Sequence, residues 1–276
     1  MEKRRIGIVG YGYLGQCLAK QIQAREDVEL AFVFNRTTLT LEGQVEPDAI
    51  LKRLDDFADF GADLIVEVAH PDVTRQFGTS FLASADYMIG SPTAMASASL
   101  EKELRAAATQ HGLYIPSGAF WGGEDIKKMA DRGSLQALKV TMKKHPSSFK
   151  LEGALAKLNE SCTDKEVILY QGDVRGLCPL APHNVNTMAA AAIAAHNLGF
   201  DKVEGCLVSD PNLSGWHIVE VETWGPEDMA SGRAFHVHTV RRNPADLGAV
   251  TGTATQASFL SSLLGAGGKG PGVHLC

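Results

Sequence analysis

A glycine-rich turn near the start of the chain constrains the fold more than any other feature. The apolar run at 6–9 predicts a buried parallel strand, and Gly10, Gly12 and Gly15 follow it in the spacing G-x-G-x-x-G before a predicted helix at 13–24. In dinucleotide folds the first glycine permits a tight turn, the second lets backbone approach a pyrophosphate, and the third lets helix and strand pack closely. The free N–H groups that open such a helix attract phosphate. The stretch therefore predicts a dinucleotide-binding loop.

The end of the second predicted strand bears on which dinucleotide is bound. This strand, at 28–34, ends in Asn35 and Arg36, where an NAD-specific fold places an acidic residue on the ribose 2′-hydroxyl. Asn35 can still bind a ribose hydroxyl, and Arg36 can pair with a 2′-phosphate. Because no acid is present there, the sequence admits NADP or NAD as the cofactor. The alternative is that Arg36 is a solvated loop residue.

Strands and helices alternate through residue 116, which predicts an α/β fold with a doubly wound parallel sheet. The strand at 62–69 ends at the carboxyl edge of that sheet, where ligands bind in open α/β folds. The predicted cofactor-binding residues of this half are Gly10, Gly12, Tyr13, Leu14, Gly15, Asn35, Arg36, Glu67 and Ala69.

Composition excludes several classes of protein. The net charge of −6 offers no basic field for nucleic acid, and the most apolar windows are alanine-rich and too short to span a membrane. Five cysteines without C-x-x-C spacing indicate reduced thiols rather than a disulfide framework. We expect a soluble protein of the cytoplasm, with no metal site.

A change in the sequence pattern near residue 117 predicts a second domain. Glycine and serine cluster around Trp121, and later strands occur without another glycine fingerprint. We expect a dinucleotide-binding domain at 1–116 plus 243–264, and a domain for substrate, catalysis and dimerisation at 117–242. The glycine-rich residues 265–276 predict a disordered tail.

Several segments together resemble the L-aspartate dehydrogenase family over about residues 5–264. They are the glycine fingerprint, Val66-Glu67-Val68-Ala69, Ile115-Pro116-Ser117-Gly118-Ala119, Asn184-Val185-Asn186, Ser209-Asp210-Pro211 followed by His217, and Asn243-Pro244. The chain departs from the family pattern at Ser214-Gly215-Trp216, at Gly122-Gly123-Glu124-Asp125 and in the basic run Lys143-Lys144-His145-Pro146.

The resemblance implies an NAD(P)-dependent oxidative deamination of L-aspartate to oxaloacetate and ammonia, which is reversible. It implies a Rossmann domain with a mixed α/β domain inserted before the C-terminal helix, assembled as a homodimer. Carried over by position, Ala119 and one of Asn184 and Asn186 contact the cofactor near its nicotinamide, and His217 is the catalytic histidine.

The chemistry of such a reaction favours a histidine and nearby cations. Imidazole titrates near pH 6.5, which suits proton removal from an amine and from water. Among nine histidines, His217 begins a strand after a glycine-containing loop, and His183 is the second candidate. His236 and His238 favour a structural pair rather than a metal site. An aspartate substrate needs cations for its two carboxylates, and the candidates are Lys143, Lys144, Arg175, Arg241 and Arg242.

Two alternatives stay open. One is a related reductase that acts on another small dicarboxylate or an imine. The other is a non-catalytic NADP(H)-binding sensor or scaffold, which the residues preceding His217 keep in consideration.

Overall fold

The computed structural model describes residues 3–276, and its contacts divide the chain into two compact units. The first extends to Pro116 and also contains Phe259–His274 and Cys276, whereas the second contains Ser117–Ser258 and Leu275. The elements, in chain order, are β1 (Arg4–Val9), α1 (Tyr13–Gln23), β2 (Val28–Phe34), β3 (Ile50–Leu51), β4 (Leu64–Glu67), α2 (Pro71–Ser84), β5 (Asp86–Ile89), α3 (Ala98–Ala107), β6 (Gly112–Ile115), α4 (Gly123–Asp131), β7 (Ala137–Lys144), α5 (Gly153–Glu160), β8 (Val167–Asp173), α6 (Val174–Leu177), α7 (Asn186–Ala194), α8 (Gly199–Lys202), β9 (Glu204–Ser209), β10 (Trp216–Asp228), β11 (Arg233–Pro244), α9 (Thr253–Gly265) and β12 (Gly272–Leu275).

The first unit is built on a seven-stranded sheet in the order β12-β6-β5-β4-β1-β2-β3. The pairs formed by β1 with β2 and β4, by β2 with β3, and by β5 with β4 and β6 are all parallel. From β1 the chain runs outward to β2 and β3, and then returns to build the other side through β4, β5 and β6. The strand order thus reverses at β1, and ligands bind at such switch points. This confirms the predicted Rossmann-type doubly wound sheet.

The core of the first unit explains why its strands read as continuous apolar runs. Ile6, Ile8 and Val66 are fully buried in the sheet, and Phe259 and Leu263 of α9 belong to the same hydrophobic cluster. Parallel sheets are covered on both faces, so neither side of these strands meets water.

The C-terminal residues differ from the expectation of a disordered tail. Residues 265–276 are ordered here, and β12 forms the edge of the first sheet beside β6. The backbone N–H of Cys276 donates to the carbonyl oxygen of Ile115 at 3.0 Å. The expected return to the first domain also begins later than residue 243, because 243–258 belong to the second unit. Between β2 and β4, 3₁₀ turns lie on either side of β3.

The second unit contains a mixed five-stranded sheet in the order β11-β10-β7-β9-β8. Strands β7 and β9 are parallel, whereas the other three pairs are antiparallel. Helix α7 is buried almost all round, with Met188 to Ala194 at most 5% exposed. Its run of alanines allows close packing on every side, which explains why the helix has no polar face.

The described chain contains neither a membrane-spanning helix nor a disulfide bond. Within residues 3–276, every helix is too short or too polar to cross a membrane. No disulfide joins any of the five cysteines in that range.

Candidate functional site

The glycine loop of the first unit has the geometry that a dinucleotide requires. Gly10 has a φ of +111°, a backbone conformation that disfavours any side chain. A Cβ on Gly15 would collide with the carbonyl oxygen of Gly10, so the third glycine is required by packing. A Cβ on Gly12, by contrast, would meet no protein atom within 4 Å. The open space at Gly12 fits the approach of a pyrophosphate.

Helix α1 offers its first N–H groups at the same place. Gly12 is the N-cap, so the N-cap residue has no side chain that could cap the helix. The N–H groups of Tyr13, Leu14 and Gly15 precede the first intrahelical bond, which Gln16 donates to the carbonyl of Gly12 at 2.9 Å. The side chain of Tyr13 is 69% exposed, so the contribution predicted for it rests on its backbone.

Asn35 and Arg36 have different surroundings at the end of β2. The Asn35 carboxamide accepts a 3.4 Å hydrogen bond from the Tyr11 N–H and donates to the Thr40 hydroxyl at 2.9 Å. It therefore ties the loop after β2 to the glycine loop. The Arg36 side chain is exposed. Its guanidinium forms no hydrogen bond or ion pair with the residues that the structure describes, so it is available to a ligand.

Glu67 is a buried carboxylate that braces the loops after β4 and β5. Its side chain is fully buried. One oxygen accepts hydrogen bonds from the Ala69 N–H at 2.6 Å and the Ser91 hydroxyl at 3.2 Å, and the other accepts from the Ser91 N–H at 2.9 Å. Burial raises the pKa of Glu67 to about 7 although these donors act to lower it. Direct cofactor contact by Glu67 is not favoured, since both oxygens are engaged, whereas Ala69 is exposed beside Gly10.

We expect Glu67→Gln to destabilise the protein by about 2 kcal/mol, because the amide NH₂ would face backbone N–H donors in a buried site. The measurement is urea unfolding at pH 8, where the Glu67 carboxylate is largely ionised. Glu29→Gln is the matched control, since Glu29 forms a half-exposed ion pair with Arg5 and its loss should change stability by under about 1 kcal/mol. Equal stability of the two variants would contradict the bracing role.

A row of buried polar side chains crosses the sheet of the second unit. Asn243 of β11 pairs with His217 of β10. Antiparallel pairing of Ile218 with Lys143 places the next residues along, His217 and Lys144, opposite each other. Lys144 pairs in turn with Ser209 of β9. Residues paired across strands point to the same face, so these four side chains share the core face. All four are at most 5% exposed.

His217 is held neutral with one nitrogen available. Its imidazole hydrogen bonds to the backbone of Ala249, and the Nε2 atom is buried without a partner among the described residues. Burial and the neighbouring charge of Lys144 lower the pKa of His217 to about 4. Because Nδ1 is occupied by Ala249, Nε2 carries the lone pair that can accept a proton.

Hydrogen bonds distinguish Asn184 from Asn186 as candidates for contact with a ligand. The Asn184 carboxamide accepts from the Lys150 N–H at 2.9 Å and donates to the carbonyl of Ser148 at 3.4 Å. The carboxamide oxygen of Asn186, the first residue of α7, is buried without a partner in the described chain. Asn184 thus shapes its loop, and Asn186 offers an atom to a ligand.

Ala119 and the remaining candidate histidines lie in different surroundings. Ala119 is buried next to Gly118, whose φ is +56°. His183 is exposed beside Asn184. His238 contacts Glu220 at 3.2 Å and His236 stacks on Trp224, so these two histidines have separate partners.

Comparisons with known proteins agree with both units. Residues 125–262 match the aspartate dehydrogenase C-terminal domain, and residues 10–116 match the NAD-binding domain of homoserine dehydrogenase. The chain carries an NAD(P)-binding domain. It is 53% identical to an aspartate dehydrogenase domain-containing protein of Xenopus tropicalis, covering 100% of this chain and 99% of the relative.

More distant relatives extend the comparison. The chain is 29% identical to an L-aspartate dehydrogenase of Methanococcoides burtonii, covering 84% of this chain and 88% of that one. The fold is similar to the crystal structure of aspartate dehydrogenase from Thermotoga maritima, with a TM-score of 0.69 at 18% identity, covering 97% and 98% of the two chains. The chain belongs to the aspartate dehydrogenase family of NAD(P)-dependent oxidoreductases.

Proposed function

We propose that this protein catalyses the reversible oxidative deamination of L-aspartate to oxaloacetate and ammonia with NADP or NAD. The observation that carries the proposal is the buried Nε2 atom of His217, which has no protein partner among the described residues while the ring is fixed by Ala249. A buried polar atom left without a partner indicates a place for a ligand. The archaeal relatives named L-aspartate dehydrogenase support the choice of substrate.

The residues of the chain have separate tasks in this proposal. The nicotinamide dinucleotide, when bound, supplies hydride acceptance and return. Gly12 and the first N–H groups of α1 bind its phosphates. The open space at Gly12 fits such a ligand. By the family resemblance, Asn186 and Ala119 contact its nicotinamide end.

His217 acts as the general base. Its Nε2 lone pair takes a proton from the substrate ammonium, releases that proton to solvent, and then takes a second proton from the water that attacks the carbon of the imine. The carboxylates of the substrate would offset the charge of Lys144 and so raise the pKa of His217 from about 4 towards its ordinary value. Substrate binding therefore makes the imidazole a stronger base when it is needed.

The direct test is NADPH and NADH oxidation with oxaloacetate and ammonium, alongside a panel of other keto acids. Turnover that requires oxaloacetate and ammonium together supports the proposal. Faster turnover of another dicarboxylate or imine would favour a related reductase. Tight NADPH binding without turnover of any keto acid would contradict an enzyme and favour a sensor or scaffold.

Arg36 is the residue that we expect to determine the preference between NADPH and NADH. We expect NADPH to be used as well as NADH or better, because the unpaired guanidinium can contact a 2′-phosphate. Arg36→Ala should raise the KM for NADPH by about tenfold and leave the KM for NADH within about twofold. Arg53→Ala, at another exposed arginine, is the control. A strong preference of the unaltered protein for NADH would contradict this assignment.

We further propose a cytoplasmic homodimer, as the family resemblance implies. Strand β11 is an edge of the second sheet and carries the exposed apolar side chains Phe235, Val237 and Val240. An exposed edge strand with apolar side chains is a template for pairing with another chain. Sedimentation equilibrium should give twice the chain mass, and a monomer at micromolar concentration would refute the assembly.

A further inference from the structure

Ionic partners and exposure divide the five basic side chains that are candidates for binding substrate carboxylates. Lys143 pairs with Glu220 at 3.0 Å, and Arg175 pairs with Asp201 at 2.5 Å. Arg242 is exposed on the face of β11 opposite to Arg241, since side chains alternate along a strand. The two that remain, Lys144 and Arg241, have no carboxylate partner within the described residues.

Lys144 is a buried cation that has no anionic partner in the described part of the chain. Its side chain is 4% exposed, its Nζ atom donates to the carbonyl oxygen of Val250 at 2.8 Å, and its ammonium lies 5.8 Å from the ring centre of Phe149. Burial lowers the pKa of Lys144 to about 8. An unpaired buried charge is unfavourable, so binding of an anion there would be strongly favoured.

Arg241 is held in place by neutral acceptors. Its Nε donates to the Asn243 carboxamide oxygen at 2.8 Å, and Nη1 donates to the carbonyl of Gly118 at 3.0 Å. Burial lowers the pKa of Arg241. These two bonds fix the plane of the guanidinium and leave Nη2 for a further acceptor. Gly118 precedes Ala119, so Arg241 also adjoins the loop assigned to the cofactor.

The two cations lie on the strands that flank His217. Lys144 is opposite His217 on β7, and Arg241 is two residues from Asn243, the partner of His217 on β11. Arg241 and His217 are thus diagonal neighbours on one face, about 7–8 Å apart at the Cα atoms. We propose that Lys144 and Arg241 bind the two carboxylates of a dicarboxylate substrate, one on each side of His217. This inference rests on the proposed function and assigns its substrate-recognition residues.

Charge matching makes the site selective for dicarboxylates. A monocarboxylate of the same length would leave one of the two cations without its anion in a partly dehydrated place. Specificity of this kind arises when a competing ligand leaves buried charged groups unpaired.

The test uses succinate, which has two carboxylates but no amino or keto group, and butyrate as the monocarboxylate. Binding is measured by calorimetry on the full chain with saturating NADPH. The unaltered protein should bind succinate at least about tenfold more tightly than butyrate. Lys144→Met and Arg241→Met should each lose about tenfold or more in succinate affinity.

The matched controls are the sequence neighbours on the opposite face, Lys143→Met and Arg242→Met. Each should change succinate affinity by less than about threefold, because their charges are paired elsewhere or exposed. NADPH affinity and melting temperature, measured for all four variants, report whether the fold is intact. Arg241→Lys keeps the charge without the guanidinium plane, and should bind succinate with an affinity between those of Arg241→Met and the unaltered protein.

The outcomes distinguish this inference from the proposed function. Succinate affinity that is unchanged in both Lys144→Met and Arg241→Met overturns the inference, as does a protein that binds no dicarboxylate. If aspartate is turned over with an unaltered KM in these variants, the function stands and the inference falls. If succinate binding follows the expected pattern without aspartate turnover, the dicarboxylate site stands and the aspartate assignment falls.

Discussion

Replacing His217 by Gln should lower kcat for the aspartate reaction by about a thousandfold while NADPH binding is retained. General base catalysis by a placed side chain contributes roughly 10²–10⁴ in rate, and Gln cannot take up the proton. The measurement is steady-state turnover together with a fluorescence titration of NADPH. His238→Gln is the control, since His238 contacts Glu220 on the other face of the sheet and should keep nearly full activity. A fully active His217→Gln would remove the assignment.

The same variant tests the lowered pKa of His217 without any substrate. The folded-state pKa of about 4 lies below the unfolded value of about 6.5. The unfolded state therefore binds the proton first, and stability is lost as the pH falls from about 6.5 towards 4. Between pH 7 and pH 5 the unaltered protein should lose about 2 kcal/mol more unfolding free energy than His217→Gln. Parallel stability curves would show that the imidazole titrates normally.

The glycine loop gives the second large effect, and it separates folding from ligand binding. Gly15→Ala should destabilise the protein by about 3 kcal/mol, because the added methyl collides with the carbonyl of Gly10. Gly12→Ala meets no protein atom within 4 Å, and Gly12 has an ordinary φ of −71°. Its stability should be unchanged, yet NADPH affinity should fall by about tenfold or more, because the methyl occupies the approach of the pyrophosphate.

Chemical unfolding of both variants measures the change in stability, and NADPH titration of both measures the change in cofactor affinity. Gly265→Ala is the control, since a Cβ there also meets open space and the residue ends α9. If Gly12→Ala bound NADPH as tightly as the unaltered protein, the loop would be a structural turn rather than a phosphate site.

Local sequence was enough to predict the fold of the first unit. The glycines and the buried strands are short-range signals, and the structure confirms the doubly wound sheet that they predict. The composition of residues 265–276 is that of a linker and predicts disorder, whereas the structure has β12 there. Its order comes from strand pairing with β6, about 160 residues away in sequence. Composition carries no information about such a partner.

Contacts between residues distant in sequence also decide which basic side chains lack an acidic partner among the described residues. Lys143 and Lys144 are adjacent in sequence, yet within residues 3–276 only Lys143 has an acidic partner, Glu220, which follows 77 positions later. Asn184 and Asn186 differ in the same way, because the carboxamide of Asn184 is engaged by the segment 148–150. Strand register and loop packing decide these cases, and neither can be read from residue type.

The backbone of the loop before α9 has a consequence for which changes the protein can tolerate. Ala249 and Val250 are consecutive residues, and their main-chain groups hold His217 and Lys144. Because no side chain of either residue is involved, substitutions at 249 and 250 should be accepted readily. A one-residue deletion between 246 and 250 would shift both main-chain partners at once and disable the histidine and the lysine together. Relatives with the same chemistry should therefore differ in the amino acids of this loop but keep its length.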